Sequence, residues 1–320
     1  MPIVFVHGAG TREYYQKYHV DHEHVRSHLR HYVAPAIAPD PERVAIITAY
    51  WGDIGAELRW EGESMPPTPP PLFWRDHPLQ KLLVVGRKRH IAREVMLRFS
   101  ATLGYYTGRV LAMLGRPQAR LSAMFMGDAL YYFAHRGRAP HPGVIPARVL
   151  EALRRARAEQ LARGGEPLVA FTHSLGGTIF YDVVTHFLPA TPGYEDIRVD
   201  FWASLSSQIG MFEEMKLFLA SDPIYGKGKA APFPDRRFLG YWWNVWDPHD
   251  FLSFSVRGVI DGVDDEFFDS GLSVTAAHLA CLRVSSFYAV FGQKVATVLG
   301  TSITPRRTLN FARRRPLAGT

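Results

Sequence analysis

Residues 167–184 read PLVAFTHSLGGTIFYDVV, and this segment constrains the fold more than any other. Leu168 to Thr172 is an apolar, β-rich run, the mark of a strand covered on both faces. A helix is predicted from Gly176 to Leu188, so strand and helix are joined almost directly through Thr172-His173-Ser174-Leu175. So short a turn predicts strained backbone angles at Ser174 and a hydroxyl raised above the edge of a sheet. Small residues are needed two places before and two places after Ser174, because strand and helix nearly touch there. Gly176 meets the second requirement. Thr172 stands at the first, and its bulk predicts that the packing opens slightly. The helix aims its first amides back at Ser174, which favours negative charge developing beside it.

The same rhythm recurs on both sides. Ile3 to Val6 is a short apolar run ending in a tight loop, His7-Gly8-Ala9-Gly10. Helical spacing follows from about Asp21 to Val33, then a break at Asp40-Pro41 and a strand from Val44 to Tyr50. Later, Pro146 to Ala162 is an amphipathic helix closed by Gly164-Gly165. Asp200 to Leu205 and Leu239 to Trp246 read as strands, and Val274 to Val298 as mostly helical. Strands alternating with helices predict an α/β fold, a mostly parallel sheet wrapped by helices, built from residues 1–52 and 146–304.

Residues 53–145 break the rhythm. Five prolines lie between Pro66 and Pro71, and apolar and basic segments from Leu79 to Leu114 and from Leu121 to Phe133 read as helices. The insertion far exceeds an ordinary strand-to-helix loop and is too apolar for a solvated one. It is predicted to be a helical cap or lid covering Ser174 at the C-terminal edge of the sheet. Its aromatic residues could line an acyl pocket. Arg87-Lys88-Arg89, Arg93 and Arg98 suggest at most a weak contact with a membrane surface.

Composition removes several function classes. Cys281 is the single cysteine, which excludes an internal disulfide framework and a four-cysteine zinc site. The basic tail, 305–320, holds five arginines and no acid, and removing these from the net charge of +7 leaves +2. The body is therefore near neutral, and no nucleic-acid partner is expected. The longest stretch free of Asp, Glu, Lys and Arg, Pro167 to Tyr181, is 15 residues, short of the roughly 18 that suggest a membrane span. The N-terminal PIVFVHG has no basic leader region, so a cytoplasmic location is expected. His19, Asp21, His22, Glu23, His24, His28 and His31 cluster in one segment, but no further ligand pattern accompanies them, and a polar helix face is the expectation rather than a metal site. Gly226-Lys227-Gly228-Lys229 lacks the spacing of a phosphate loop and reads as a plain loop.

FVHGAG and AFTHSLGG together resemble the α/β-hydrolase superfamily, and within it the lipase- and esterase-like serine hydrolases. The resemblance covers about two thirds of the chain and implies Ser174 as nucleophile, with acid and base downstream in that order. Of the downstream histidines, His186 lies within the helix after Ser174 and His249 beside the candidate acids, so His278 is the implied base. NVWDPHDFLS offers two acids. Asp250, followed by Phe251-Leu252-Ser253, is favoured, and Asp247 is the alternative. The amides of Ala9 and Leu175 are the implied oxyanion hole. The expected activity is hydrolysis of a small-molecule or lipid carboxylic ester without a cofactor. Thioester or amide hydrolysis, or a non-catalytic binding role on the same fold, are the alternatives.

Overall fold

The computed structural model describes residues 2–14, 16–59, 63, 123–272 and 277–300. The chain divides into two compact units, Met1–Asp53 with Arg136–Thr320, and Ile54–His135. In the larger unit the strands are β1 (Pro2–Val6), β2 (Ala45–Ala49), β5 (Val169–His173), β6 (Val199–Leu205), β7 (Leu239–Trp246) and β8 (Asp264–Phe267), with β3 (Gly137–Arg138) and β4 (His141–Pro142) forming a separate small hairpin. Its principal helices are α1 (Gln16–His28), α2 (Val144–Ala162), α3 (Leu175–Asp182), α4 (Ile209–Glu214), α5 (Ala277–Ala280) and α6 (Ser285–Leu299).

The main sheet has six strands in the order β2-β1-β5-β6-β7-β8, every neighbouring pair parallel. From β1 the chain steps to β2 on one side, then crosses back to β5 on the other. Right-handed crossovers in opposite senses place their helices on opposite faces. Accordingly, α6 packs against the π-type turn Leu29–Val33 that continues α1, while α2 packs on β1 and β2 and touches α3. The reversal of direction lies between β1 and β5, the place where ligands bind in open α/β sheets.

Side-chain alternation follows the two faces. Ile3, Phe5, Val169, Phe171, Phe201, Ala203, Trp243 and Val245 join Val25 and Leu29 of α1 and Phe287 and Phe291 of α6 in one buried cluster. On the other face Trp202 stacks on Trp242 with centroids 4.4 Å apart, and Phe180 of α3 lies 4.9 Å from Trp202. Their indole N–H groups are not left orphaned: Trp202 Nε1 donates to Thr172 Oγ1 at 3.0 Å and Trp242 Nε1 to Ser204 Oγ at 2.8 Å.

Several elements differ from the sequence expectation. Strand β8 was not anticipated, because DDEF has neither an apolar run nor an apolar alternation. It forms as an edge strand whose acids all find donors: Lys294 Nζ meets Asp264 at 2.7 Å and Glu266 at 3.0 Å, and Trp243 Nε1 donates to Glu266 at 2.8 Å. Helix α2 starts at Val144, so Pro146 sits inside its first turn, where a missing N–H costs nothing. The C-terminal helical region is broken into α5, a 3-10 turn Cys281–Arg283, and α6.

In the smaller unit, residues 123–135 form a helix with Tyr132 and Ala129 buried. Asp128 accepts the Ala56 amide at 2.7 Å, and a side chain at Gly127 would collide with Ala56. The proline cluster, the segment Leu79 to Leu114 with its arginines, and the tail 305–320 lie outside the described residues. Among the described residues no helix is long and apolar enough to cross a membrane.

Phe291 is fully buried and lies 5.6 Å from Phe171, 5.8 Å from Phe201 and 6.0 Å from Trp243, which links three strands to α6. Phe291→Ala is expected to cost about 3–5 kcal/mol in urea unfolding. A loss below about 1 kcal/mol would show that this core does not act as one packed layer.

Candidate active site

Ser174 joins β5 to α3 with φ 54° and ψ −131°, a backbone conformation that L-residues rarely adopt. Its amide donates to Leu205 O at 2.9 Å and its carbonyl accepts Gly177 N–H at 2.9 Å, so the ladder on one side and the helix on the other hold the turn. A Cβ at Gly176 would stand 2.4 Å from Val6 O and 2.5 Å from His7 O, so only glycine lets α3 cross the end of β1. Thr172, the oversized residue on the strand side, is accommodated differently from the expectation. Gly177 makes the room, since a Cβ there would meet Thr172 Oγ1 at 3.3 Å and Ser207 Cβ at 2.8 Å.

Three of the sequence-derived candidates converge on one another. His278 Nε2 lies 2.8 Å from Ser174 Oγ, and His278 Nδ1 lies 2.7 Å from Asp250 Oδ2. All three side chains are buried. Burial alone would raise the carboxyl pKa of Asp250. The hydrogen bond and charge of His278, the Leu252 amide at 3.0 Å and the Ser206 hydroxyl outweigh it and hold the pKa below the ordinary value. Such a chain can move a proton from hydroxyl to imidazole while the carboxylate stabilises the imidazolium.

Asp247 is not in this chain. Its Oδ1 accepts the His249 amide at 2.8 Å and its Oδ2 the Ser270 amide at 3.2 Å, so it ties the loop after β7 together. His249 is half exposed, 3.9 Å from Asp269. His186 sits in the turn after α3 and accepts the Ala139 amide at 3.1 Å.

The two candidate oxyanion amides belong to the loop after β1 and to the start of α3. Leu175 opens α3. Ala9 follows Gly8, whose missing side chain would lie 2.7 Å from Ser174 Cβ, so the loop after β1 rests against the serine. His7 fixes that loop. Its Nδ1–H donates to Gly8 O at 2.9 Å, its Nε2 accepts Trp51 N–H at 3.1 Å, and Trp51 Nε1 donates to His7 O at 3.0 Å. This double use requires a neutral imidazole, and burial lowers the His7 pKa to about 4.

Four supporting residues were given no role in the site from the sequence. His173 Nε2 donates to His278 O at 2.8 Å and so holds the backbone that carries the imidazole. Burial, with the neighbouring His278, lowers its pKa to about 3. Cys281 Sγ donates to the same carbonyl at 3.2 Å, and burial pushes its pKa far up. Ser206, at the end of β6, also has a positive φ, 52°. Gln208 Nε2 lies 3.5 Å from Ser174 Oγ. His173 was in plain view beside Ser174, but nothing in the motif tells which way its ring turns. The positive φ at Ser206, unlike that at Ser174, has no motif around it to announce it.

Among the described residues no group of His, Cys, Asp and Glu is arranged to hold a metal ion. The histidines of α1 have other partners: His22 Nε2 shares a hydrogen bond with Thr48 Oγ1 at 2.7 Å, and His28 Nδ1 donates to His24 O at 2.7 Å. The Gly226–Lys229 loop closes on itself through two backbone hydrogen bonds of 2.9 Å. Comparison with known protein families and with curated proteins finds no match for this chain.

His7 and His173 make stability depend on pH. The unfolded chain binds a proton at each near pH 6.5, and the native state only near 4 and 3. Their contribution is therefore complete above pH 6.5 and is lost as pH falls toward 4, by up to about 1.4 kcal/mol per pH unit for each histidine. His173→Gln keeps a donor without a titrating ring and is expected to flatten the fall in urea midpoint between pH 6.5 and 4. An equal slope in the two proteins would remove His173 from this account.

Proposed function

We propose that this chain is a serine hydrolase of the α/β-hydrolase type that cleaves a carboxylic ester. The observation that carries the reading is the chain Ser174 Oγ–His278 Nε2 at 2.8 Å and His278 Nδ1–Asp250 Oδ2 at 2.7 Å, mounted on a strained turn at the reversal of strand order. Ser174 Oγ attacks the acyl carbonyl while His278 takes its proton. The proton then passes to the leaving alcohol, and an acyl-enzyme remains. Water, deprotonated by His278, releases the acid. Asp250 keeps the imidazole in the tautomer with Nδ1–H and stabilises its protonated form. The amides of Ala9 and Leu175 carry the developing oxyanion, and the Gly8 contact and the start of α3 support that assignment. The unit Ile54–His135 enters the chain after β2, where this type of enzyme carries a cap, and we assign it that role.

Reaction with a fluorophosphonate probe tests the reading directly. Wild-type protein is expected to label at Ser174, and Ser174→Ala to lose both labelling and ester hydrolysis while keeping its unfolding midpoint. Full activity in a folded Ser174→Ala protein would falsify the mechanism.

The acid is tested separately. Asp250→Asn is expected to lower kcat by about four orders of magnitude, the scale for loss of a triad carboxylate. Asp247→Asn disturbs the loop and is expected to cost far less. The reverse ranking would move the acid to Asp247.

A further inference from the structure

Gln208 has no part in the mechanism just described, yet it stands within reach of it. It lies just past the C-terminal end of β6, is fully buried, and its Nε2 donates to Leu252 O at 2.6 Å and to Ser206 O at 3.1 Å. Nε2 is also 3.5 Å from Ser174 Oγ. The two carbonyls fix which end of the amide is nitrogen, since exchanging the ends would set oxygen against oxygen twice. Oε1 is then left buried with no hydrogen-bond partner among the described residues. The oxygen and nitrogen of a primary amide are about 2.3 Å apart, which puts Oε1 within about 6 Å of the attacking hydroxyl.

A buried acceptor without a donor is uncommon and destabilising, and one placed beside a nucleophile is a specificity element waiting for its partner. Both Nε2 protons are committed to protein carbonyls, so this side chain offers a ligand an acceptor and nothing else. We propose that Gln208 is a specificity-determining residue whose Oε1 accepts a hydrogen bond from a hydroxyl or N–H of the substrate, within about four bonds of the scissile carbonyl carbon. An alkyl group at that place leaves the acceptor orphaned, and a carboxylate or phosphate sets two acceptors against each other. The inference rests on the hydrolase reading and narrows its substrates to esters carrying a neutral donor near the reacting carbon.

The experiment compares matched esters in a pH-stat: 2-hydroxyethyl butyrate against propyl butyrate for a donor on the alcohol, and ethyl 3-hydroxybutyrate against ethyl butyrate for a donor on the acyl group. Wild-type protein is expected to prefer the hydroxylated member of at least one pair by about tenfold in kcat/KM, which corresponds to about 1.4 kcal/mol. In Gln208→Met, which keeps length and removes the acceptor, that ratio is expected to fall to near one. Ratios near one for both pairs in the wild type overturn the proposal, as does a preference that survives in folded Gln208→Met. If that variant does not fold, the wild-type ratios decide. Failure of the wild type to react with a fluorophosphonate overturns the hydrolase reading and this inference with it. Labelling at Ser174 with flat ratios overturns only the role of Gln208.

Discussion

Helix α3 can start where it does only because Gly176 has no side chain. Its backbone passes so close to the end of β1 that a Cβ would meet two carbonyl oxygens, Val6 O and His7 O, at 2.4 and 2.5 Å. That approach puts Ser174 on top of the sheet and brings the loop after β1 against it at Gly8. Strand β1, the serine turn and the loop carrying Ala9 are thus one packing problem with one solution. A methyl group at either glycine would force backbone apart, since neither neighbour is the free end of a flexible chain.

The strain at Ser174 is not isolated. Ser174 and Ser206 both have positive φ, and both directly follow neighbouring parallel strands, β5 and β6. Each is held by the next strand: Ser174 N–H by Leu205 O and Ser206 N–H by Val245 O, both at 2.9 Å. Residues in such conformations cost about 1–3 kcal/mol each and persist only where the surroundings over-determine them. Here the ladder extends one residue past each strand before the chain turns. The apolar face beneath, with Phe171, Phe201, Trp243 and Phe291 locked together, supplies the rigidity. Strain aims the serine hydroxyl at His278 and the Ser206 hydroxyl at the Asp250 carboxylate.

The parallel sheet and its helices were legible because buried strands are apolar without interruption and their helices keep a 3.6-residue period. Ser174 was picked out for a different reason, because it occupies a short link between strand and helix where a reactive side chain has a geometric meaning, and His278 by the downstream order that the resemblance implies. Pattern favoured Asp250 over Asp247 but left both open, because both follow β7 within one loop. Their roles depend on which carboxylate turns inward and which caps the loop, and that is set by backbone turns three residues apart. His7 and His173 were invisible as supports for the opposite reason. Their positions were obvious, but the carbonyls they grip, Gly8 and His278, come from backbone that sequence does not locate. Strand β8 escaped because its stability comes from ion pairs with Lys294 and indole donors rather than from apolar area.

That unpromising edge strand reaches the site through a buried polar chain. Asp265, the inward residue of β8, accepts Asn244 Nδ2 at 2.8 Å, the Val256 amide at 2.9 Å, Ser255 Oγ at 2.6 Å and Trp246 Nε1 at 3.1 Å. Asn244 in turn accepts Ser204 Oγ at 2.7 Å and donates to Phe254 O at 3.2 Å. One carboxylate therefore gathers β7, the end of the loop that bears Asp250, and through Ser204 the neighbouring β6. Apolar packing alone would let that loop slide, because dispersion has little direction. Hydrogen bonds to a fully satisfied buried carboxylate do not allow it, since each displaced donor would leave an orphan in low dielectric. The 2.7 Å bond between Asp250 and His278 is thus fixed from the far edge of the sheet, by the strand with the least apolar sequence in that sheet.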